Sequence, residues 1–177
     1  LLDRSFLEAI QRAGCRSTFV GIESLNTHCL AGVDKAYPAA ALDQALENAS
    51  RVGIGVEATV MIGLPEDSAA SIRRTTDAVI RLFREKRLAL VHYFLCVPWP
   101  GTAIGDHPAR HGVQLAAARH AHYVTAPSVP LASTKHLRAG EVFSLWEEGV
   151  AQLEDEVRQQ IVLRRLRRTF GTASATP

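Results

Sequence analysis

The chain has 177 residues, 47% hydrophobic and 21% charged, enough for one globular domain with a sizeable core. Its net charge of +2 argues against a dedicated nucleic-acid binder. No apolar run approaches the roughly 18 residues of a membrane span, and none has the flanks of a signal peptide. Cys15, Cys29 and Cys96 are odd in number and far apart, which suits a reducing cytoplasm better than a disulfide framework. They form no CxxC or CxxxCxxC motif, so no metal or iron–sulfur site is read from them.

The chain opens on Leu1-Leu2 rather than Met and enters a helical pattern directly, as a piece of a longer protein does. After Asp3, a helix cap, Phe6, Leu7, Ile10 and Ala13 recur at helical spacing, and Gly14 ends the helix. Thr18 to Val20 then read as a strand that gives out into a loop at Glu23. A short helix is expected from Asn26-Thr27 to Leu30, and a second from Pro38 with the apolar face Leu42, Ala45, Leu46, Ala49 and Val52, stopped by Gly53.

Val56 to Ile62 is the second strand, followed by the turn Gly63-Leu64-Pro65-Glu66-Asp67 and a helix capped by Asp67 or Ser68. That helix is expected to bury Ile72, Thr76, Val79, Ile80 and Phe83 and to show Arg73, Arg74, Arg81 and Arg84 to water. Leu88 to Val97, apolar except for His92, is the third strand, of the kind covered on both faces in parallel sheets. After Pro98-Trp99-Pro100-Gly101-Thr102 the pattern changes. A short helix is expected at Val113 to His120 and a long one at Ala139 to Phe170 with the stripe Phe143, Trp146, Val150, Leu153 and Val157. Residues 171–177 have nothing to bury and are expected to be disordered.

Helix, strand, helix, strand, helix, strand forces parallel right-handed crossovers. Three strands cannot close a barrel of eight and instead make a half-barrel or open sheet. Ligands bind where such strands end, which puts Glu23 at the ligand end. On the second strand Glu57, Thr59 and Met61 share one face, and the more polar pair, Glu57 and Thr59, is assigned to the inner side.

With the strands placed, Gly21-Ile22-Glu23-Ser24, Leu30, Lys35, Gly53-Ile54, Met61-Ile62-Gly63-Leu64-Pro65 and Pro98-Trp99-Pro100-Gly101-Thr102 match one family. In order and spacing the chain resembles the C-terminal half of a radical S-adenosylmethionine (SAM) enzyme core, most like the group that includes cobalamin-dependent methyltransferases. Ala13-Gly14-Cys15 and the segment from Tyr123 into the long helix are similar too.

The resemblance implies an α/β fold, the C-terminal half of a partial (β/α)6 barrel over residues 1–105, with a helical extension over 106–170. In the family a first loop with three cysteines holds a [4Fe–4S] cluster, SAM chelates the unique iron, and reductive cleavage yields a 5′-deoxyadenosyl radical. Cobalamin-dependent methyl transfer is the preferred subclass. The implied partners are a small-molecule substrate, the N-terminal half of the barrel, and an electron donor such as flavodoxin or ferredoxin. The first three strands and the CxxxCxxC loop do not occur in this sequence, and Cys15, Cys29 and Cys96 match no cluster position. Alone, the chain is not expected to assemble the cluster.

By the same resemblance Glu23 contacts the ribose hydroxyls or methionine amino group of SAM, and Lys35 pairs with its carboxylate, a solvated loop lysine being the alternative. Thr59 lies near the ribose. Gly63 is a turn glycine first and a backbone contact to SAM second, while Trp99 and Gly101 line the adenosyl side of the pocket. His92 reads as a core histidine, and His107, His111, His120 and His122 as solvated ones. Arg164-Arg165-Leu166-Arg167-Arg168 complements a helix C-terminus, with RNA binding the weaker reading. Two other classes compete: a noncatalytic half-barrel docking module or truncated product, which the absent cysteines favour, and a TIM-type enzyme with a phosphate site. The second ranks last, because no glycine-rich phosphate loop follows the last strand.

Overall fold

Three parallel strands, β1 (Ser17–Glu23), β2 (Gly55–Ile62) and β3 (Leu90–Leu95), pair in chain order into one open sheet. The computed structural model describes residues 2–35, 37–116 and 130–170. Around the strands run α1 (Arg4–Arg12), α2 (Thr27–Ala31), α3 (Ala39–Val52), α4 (Ala69–Arg84), α5 (Ala103–Asp106), a 3₁₀ turn at Pro108–His111, and α6 (Ala139–Phe170). The expected α/β architecture, part of a partial barrel with a C-terminal helix, is the observed one.

Local chemistry accounts for most boundaries. Asp3 accepts from the amides of Ser5 and Phe6 to start α1, and Asn26 accepts from His28 to start α2. Ser68 rather than Asp67 caps α4, in a reciprocal box with Ser71. Gly53 ends α3 in the left-handed conformation, as its position predicts.

The sheet buries one face. Val56, Ala58, Val60 and Ile62 of β2 point into the core, joined by Leu7, Ile22, Leu46, Ala49, Ile72 and Val79. Glu57, Thr59 and Met61 alternate onto the other, partly open face, as the period of two requires. α1 packs on α3, and α6 packs on both α4 and β3. At Gly149 α6 lies against the Tyr93 ring, and Trp146 Nε1 donates to the Tyr93 carbonyl at 3.1 Å.

Several side chains depart from the sequence pattern. Phe6 is exposed, because α1 covers the core through Leu7 alone. α4 buries Thr75 and Leu82 fully while Ile80 and Phe83 are only half-buried, since its buried stripe is rotated about one residue from the expected one. The expected α6 stripe is likewise half-buried or flanking: Val142, Leu145, Gly149 and Glu156 form the buried ridge. Close approach at Gly149 decides that rotation. Residues 113–116 are not helical, for Leu115 bridges antiparallel to Ala132. The rest of that expected helix, His120, His122 and the tail 171–177 lie outside the described residues.

Candidate functional site at the C-terminal ends of the strands

Glu23 ends β1 in the left-handed region, φ 58°, a conformation that side-chain-bearing residues adopt at a cost. The strand pairing slips between Gly21 and Glu23, so an extra residue is accommodated there as a bulge. Ile22 stays fully buried while Glu23 turns to the open face. Tyr37 holds the kink from behind, its hydroxyl donating to the carbonyl of Ile22 at 2.7 Å and approaching that of Ser24 at 3.3 Å. Burial, and then the nearby Glu23 carboxylate, push the Tyr37 hydroxyl up to about 12, so it remains a donor. Behind the loop, Ser24 is buried, and its hydroxyl accepts from the Asn26 amide at 3.0 Å and lies 3.4 Å from that of Thr75.

The carboxylate thus aimed meets two of the residues proposed with it. Lys35 Nζ donates to Glu23 Oε1 at 2.6 Å, and Thr59 Oγ1 donates to Oε2 at 3.3 Å. Gly21 makes the approach possible, because a Cβ there would overlap both Lys35 Nζ and Glu23 Oε1. The result is a carboxylate, an ammonium and a hydroxyl side by side at the ligand end of a parallel sheet. Such a set pairs with a zwitterion or a vicinal diol.

Gly63 and Gly101 are turn glycines. Gly63 has φ 89°, its amide donates to Asp67 Oδ2 at 3.0 Å, and its Cα faces Val142. Gly101 has φ 85° and its amide donates to Asp106 Oδ1 at 2.8 Å. Trp99 lines an apolar crevice of ≈ 160 Å³ with Met61, Phe94, Leu95 and Val97, beside the polar cluster.

Two features escaped sequence reasoning. Asp67, 2% exposed, accepts from the Gly63 and Leu64 amides and from the Ser71 hydroxyl and Cys29 thiol, so it braces the β2–α4 turn. Its position four residues after Gly63 was the available signal. His92 is not a core residue: it stands on the open face, Nε2 3.4 Å from Glu57 Oε2, because strand alternation puts Val91, not His92, under the helices.

The thiols do not fit an iron–sulfur cluster. Burial first, then the Asp67 carboxylate, push Cys29 and Cys96 up to about 12, away from the thiolate that binds metal. Cys15 lies before β1, at the opposite end of the sheet, its Sγ donating to the Ser17 carbonyl. No group of three His, Cys, Asp or Glu side chains among the described residues is placed to hold a metal ion. No helix among them is long and apolar enough to cross a membrane.

Comparison with known proteins reaches the same class. No protein-family model matches the chain. It is 21% identical over 138 residues to a protein of Pyrococcus horikoshii described as uncharacterized methyltransferase PH0819, covering 78% of this chain and 28% of that protein. Coproporphyrinogen III oxidase (HemN) from Escherichia coli, described as a radical SAM enzyme, matches in structure with TM-score 0.60 at 15% identity. The match covers 87% of this chain and 30% of HemN. TsrM from Kitasatospora setae, a radical SAM methyltransferase solved with tryptophan and a SAM analogue, gives TM-score 0.49 at 18% identity, covering 67% of this chain and 24% of TsrM. The chain therefore spans less than a third of each of these proteins. Its fold is part of the radical SAM barrel, the fold its motifs resemble.

Proposed function

We propose that the chain forms one wall of the SAM and substrate chamber of a radical SAM enzyme, with Glu23, Lys35 and Thr59 as its polar contacts to SAM. One observation carries the reading. A carboxylate is held in a costly left-handed conformation at the ligand end of a strand, and its two partners come from a separate loop and a separate strand. In this reading Glu23 takes the ammonium or ribose hydroxyls of SAM, Lys35 its carboxylate, and the Trp99 crevice its flat adenine. SAM supplies the reactive carbon; these residues bind and orient it.

The cluster, in the same reading, is held by sequence outside this chain, since the cysteines here do not fit it. Methyl transfer is the preferred reaction, and the similarity to a protein described as a methyltransferase supports it. Cobalamin as a second cofactor, a small-molecule substrate, the N-terminal half-barrel, a flavodoxin or ferredoxin donor and a cytoplasmic location complete the proposal. A noncatalytic half-barrel module is the second reading, favoured by the buried, protonated thiols.

The test is SAM titration calorimetry on the protein at its natural full length, wild type against Glu23→Gln and Lys35→Met. Removing either charge is expected to weaken SAM by about tenfold or more, the worth of one charge-assisted hydrogen bond. Unchanged affinity removes the cluster from the site. The coding sequence before Leu1 separates the two readings: a CxxxCxxC triplet within about half a barrel's length upstream supports the enzyme, whereas a start codon directly before Leu1 sinks it.

A further inference from the structure

Beside the Glu23 cluster, the open face of the sheet carries a second polar group that the SAM contacts do not use. Glu57 Oε2 and His92 Nε2 are 3.4 Å apart, linking β2 to β3. His92 lies between two rings, Phe19 at 5.2 Å and Phe94 at 6.1 Å between centroids, so its plane is fixed. Phe19 ends the row 64% exposed, with room for another ring to continue it. Neither polar side chain serves the core, whose contacts on these strands come from Val56, Ala58 and Val91. A carboxylate and imidazole set among phenyl rings cost more to desolvate than two apolar residues would, and stability alone does not call for them.

The donor and acceptor balance says what they would take. An ionised carboxylate only accepts, so in the neutral imidazole Nε2 carries the hydrogen and Nδ1 is left as an acceptor. Glu57 Oε1 is a second acceptor, and among the described residues neither atom has a hydrogen-bond partner. Two acceptors beside an exposed ring select a hydrogen-bond donor on a flat apolar body.

We propose that Glu57, His92 and Phe19 form a subsite for an N–H-bearing aromatic ring, its N–H donated to Glu57 or His92 and its face stacked on Phe19. The proposal rests on the reading of this face as a chamber wall. The ring has two sources, the amino-bearing adenine of SAM or a separate nitrogen-heteroaromatic substrate.

The experiment titrates the full-length protein with indole, its donor-free isostere benzofuran, and adenosine, following calorimetry and the His92 ring signals by NMR. Indole is expected to bind about tenfold tighter than benzofuran, as a charge-assisted hydrogen bond implies, and to move the His92 signal. Glu57→Met and His92→Phe, the second keeping the ring row, are each expected to reduce that preference. Equal binding of indole and benzofuran, or a still His92 signal, overturns the subsite. Displacement of indole by adenosine assigns the ring to SAM; joint binding assigns it to a separate substrate. If Glu23→Gln leaves SAM affinity unchanged while indole is still preferred, the SAM reading has failed and the subsite has not.

Discussion

Gly21 lies directly beneath the contact between Lys35 and Glu23, so the ion pair exists only because residue 21 has no side chain. Gly21→Ala is expected to push Lys35 off Glu23 while the sheet, whose pairing is through backbone, persists. Calorimetry should show SAM bound several-fold more weakly. Urea unfolding should move by about 1 kcal/mol or less, since Lys35 is half exposed and such pairs contribute little to stability. Full SAM affinity in a folded Gly21→Ala protein would contradict the site.

Glu23 itself trades stability for position. A left-handed backbone costs a residue with a side chain about 1–2 kcal/mol, and Asn tolerates it best after Gly. Glu23→Asn relieves that cost while losing an exposed ion pair of similar worth. Its unfolding free energy is therefore expected within about 1 kcal/mol of wild type, alongside a large loss of SAM affinity. A large fall in stability would show that the carboxylate is a structural keystone instead.

Asp67 gives a pH signature. Burial raises its carboxyl above the ordinary 3.8, against four hydrogen bonds that pull it down. As pH rises, the unfolded chain releases this proton first, so the folded state holds more protons between 3.8 and the raised value. Stability contributed by Asp67 therefore falls across that window and is level above it. The wild-type minus Asp67→Asn difference in unfolding free energy, measured from pH 3.5 upward, should decline in the same way; a rise would reverse the assignment. Asp67→Ala, which orphans the Gly63 and Leu64 amides, is expected to cost about 2–4 kcal/mol at any pH.

Gly149→Ala tests how α6 is docked. A Cβ there would stand 2.5 Å from Tyr93 Cε1, and overpacking of this kind costs about 1–3 kcal/mol. Denaturant melts followed by tryptophan fluorescence should show the loss, because Trp146 is tied to the Tyr93 carbonyl. An unaltered midpoint would mean that the helix shifts freely on the sheet.

Elements with local signals were readable in the chain. Asp3, Asn26, Pro38 and Gly53 mark helix ends where the structure has them, and the alternation of β2 assigned Glu57 and Thr59 to the open face. The association of Glu23 with Lys35 and Thr59 came from family resemblance, not from spacing. What stayed hidden depends on contacts through space. Tyr37 bracing the Ile22 carbonyl and Gly21 clearing room for Lys35 join residues with no periodic relation. The Val113 helix failed for the same reason, since a partner at Ala132 claimed Leu115 as a bridge. On α6 the interior glycine was the missed cue, marking where the helix comes closest to the sheet.

The bulge at the end of β1 has an evolutionary edge. Because Ile22 is wholly buried and Glu23 is its immediate neighbour on the other face, deleting one residue upstream would exchange them. An isoleucine would enter the chamber and an acid would enter the core. The acid therefore cannot drift along its strand by single-residue steps. Insertions and deletions in β1 are purged by the apolar interior before they reach the chemistry, and the interior acts as custodian of the site's address.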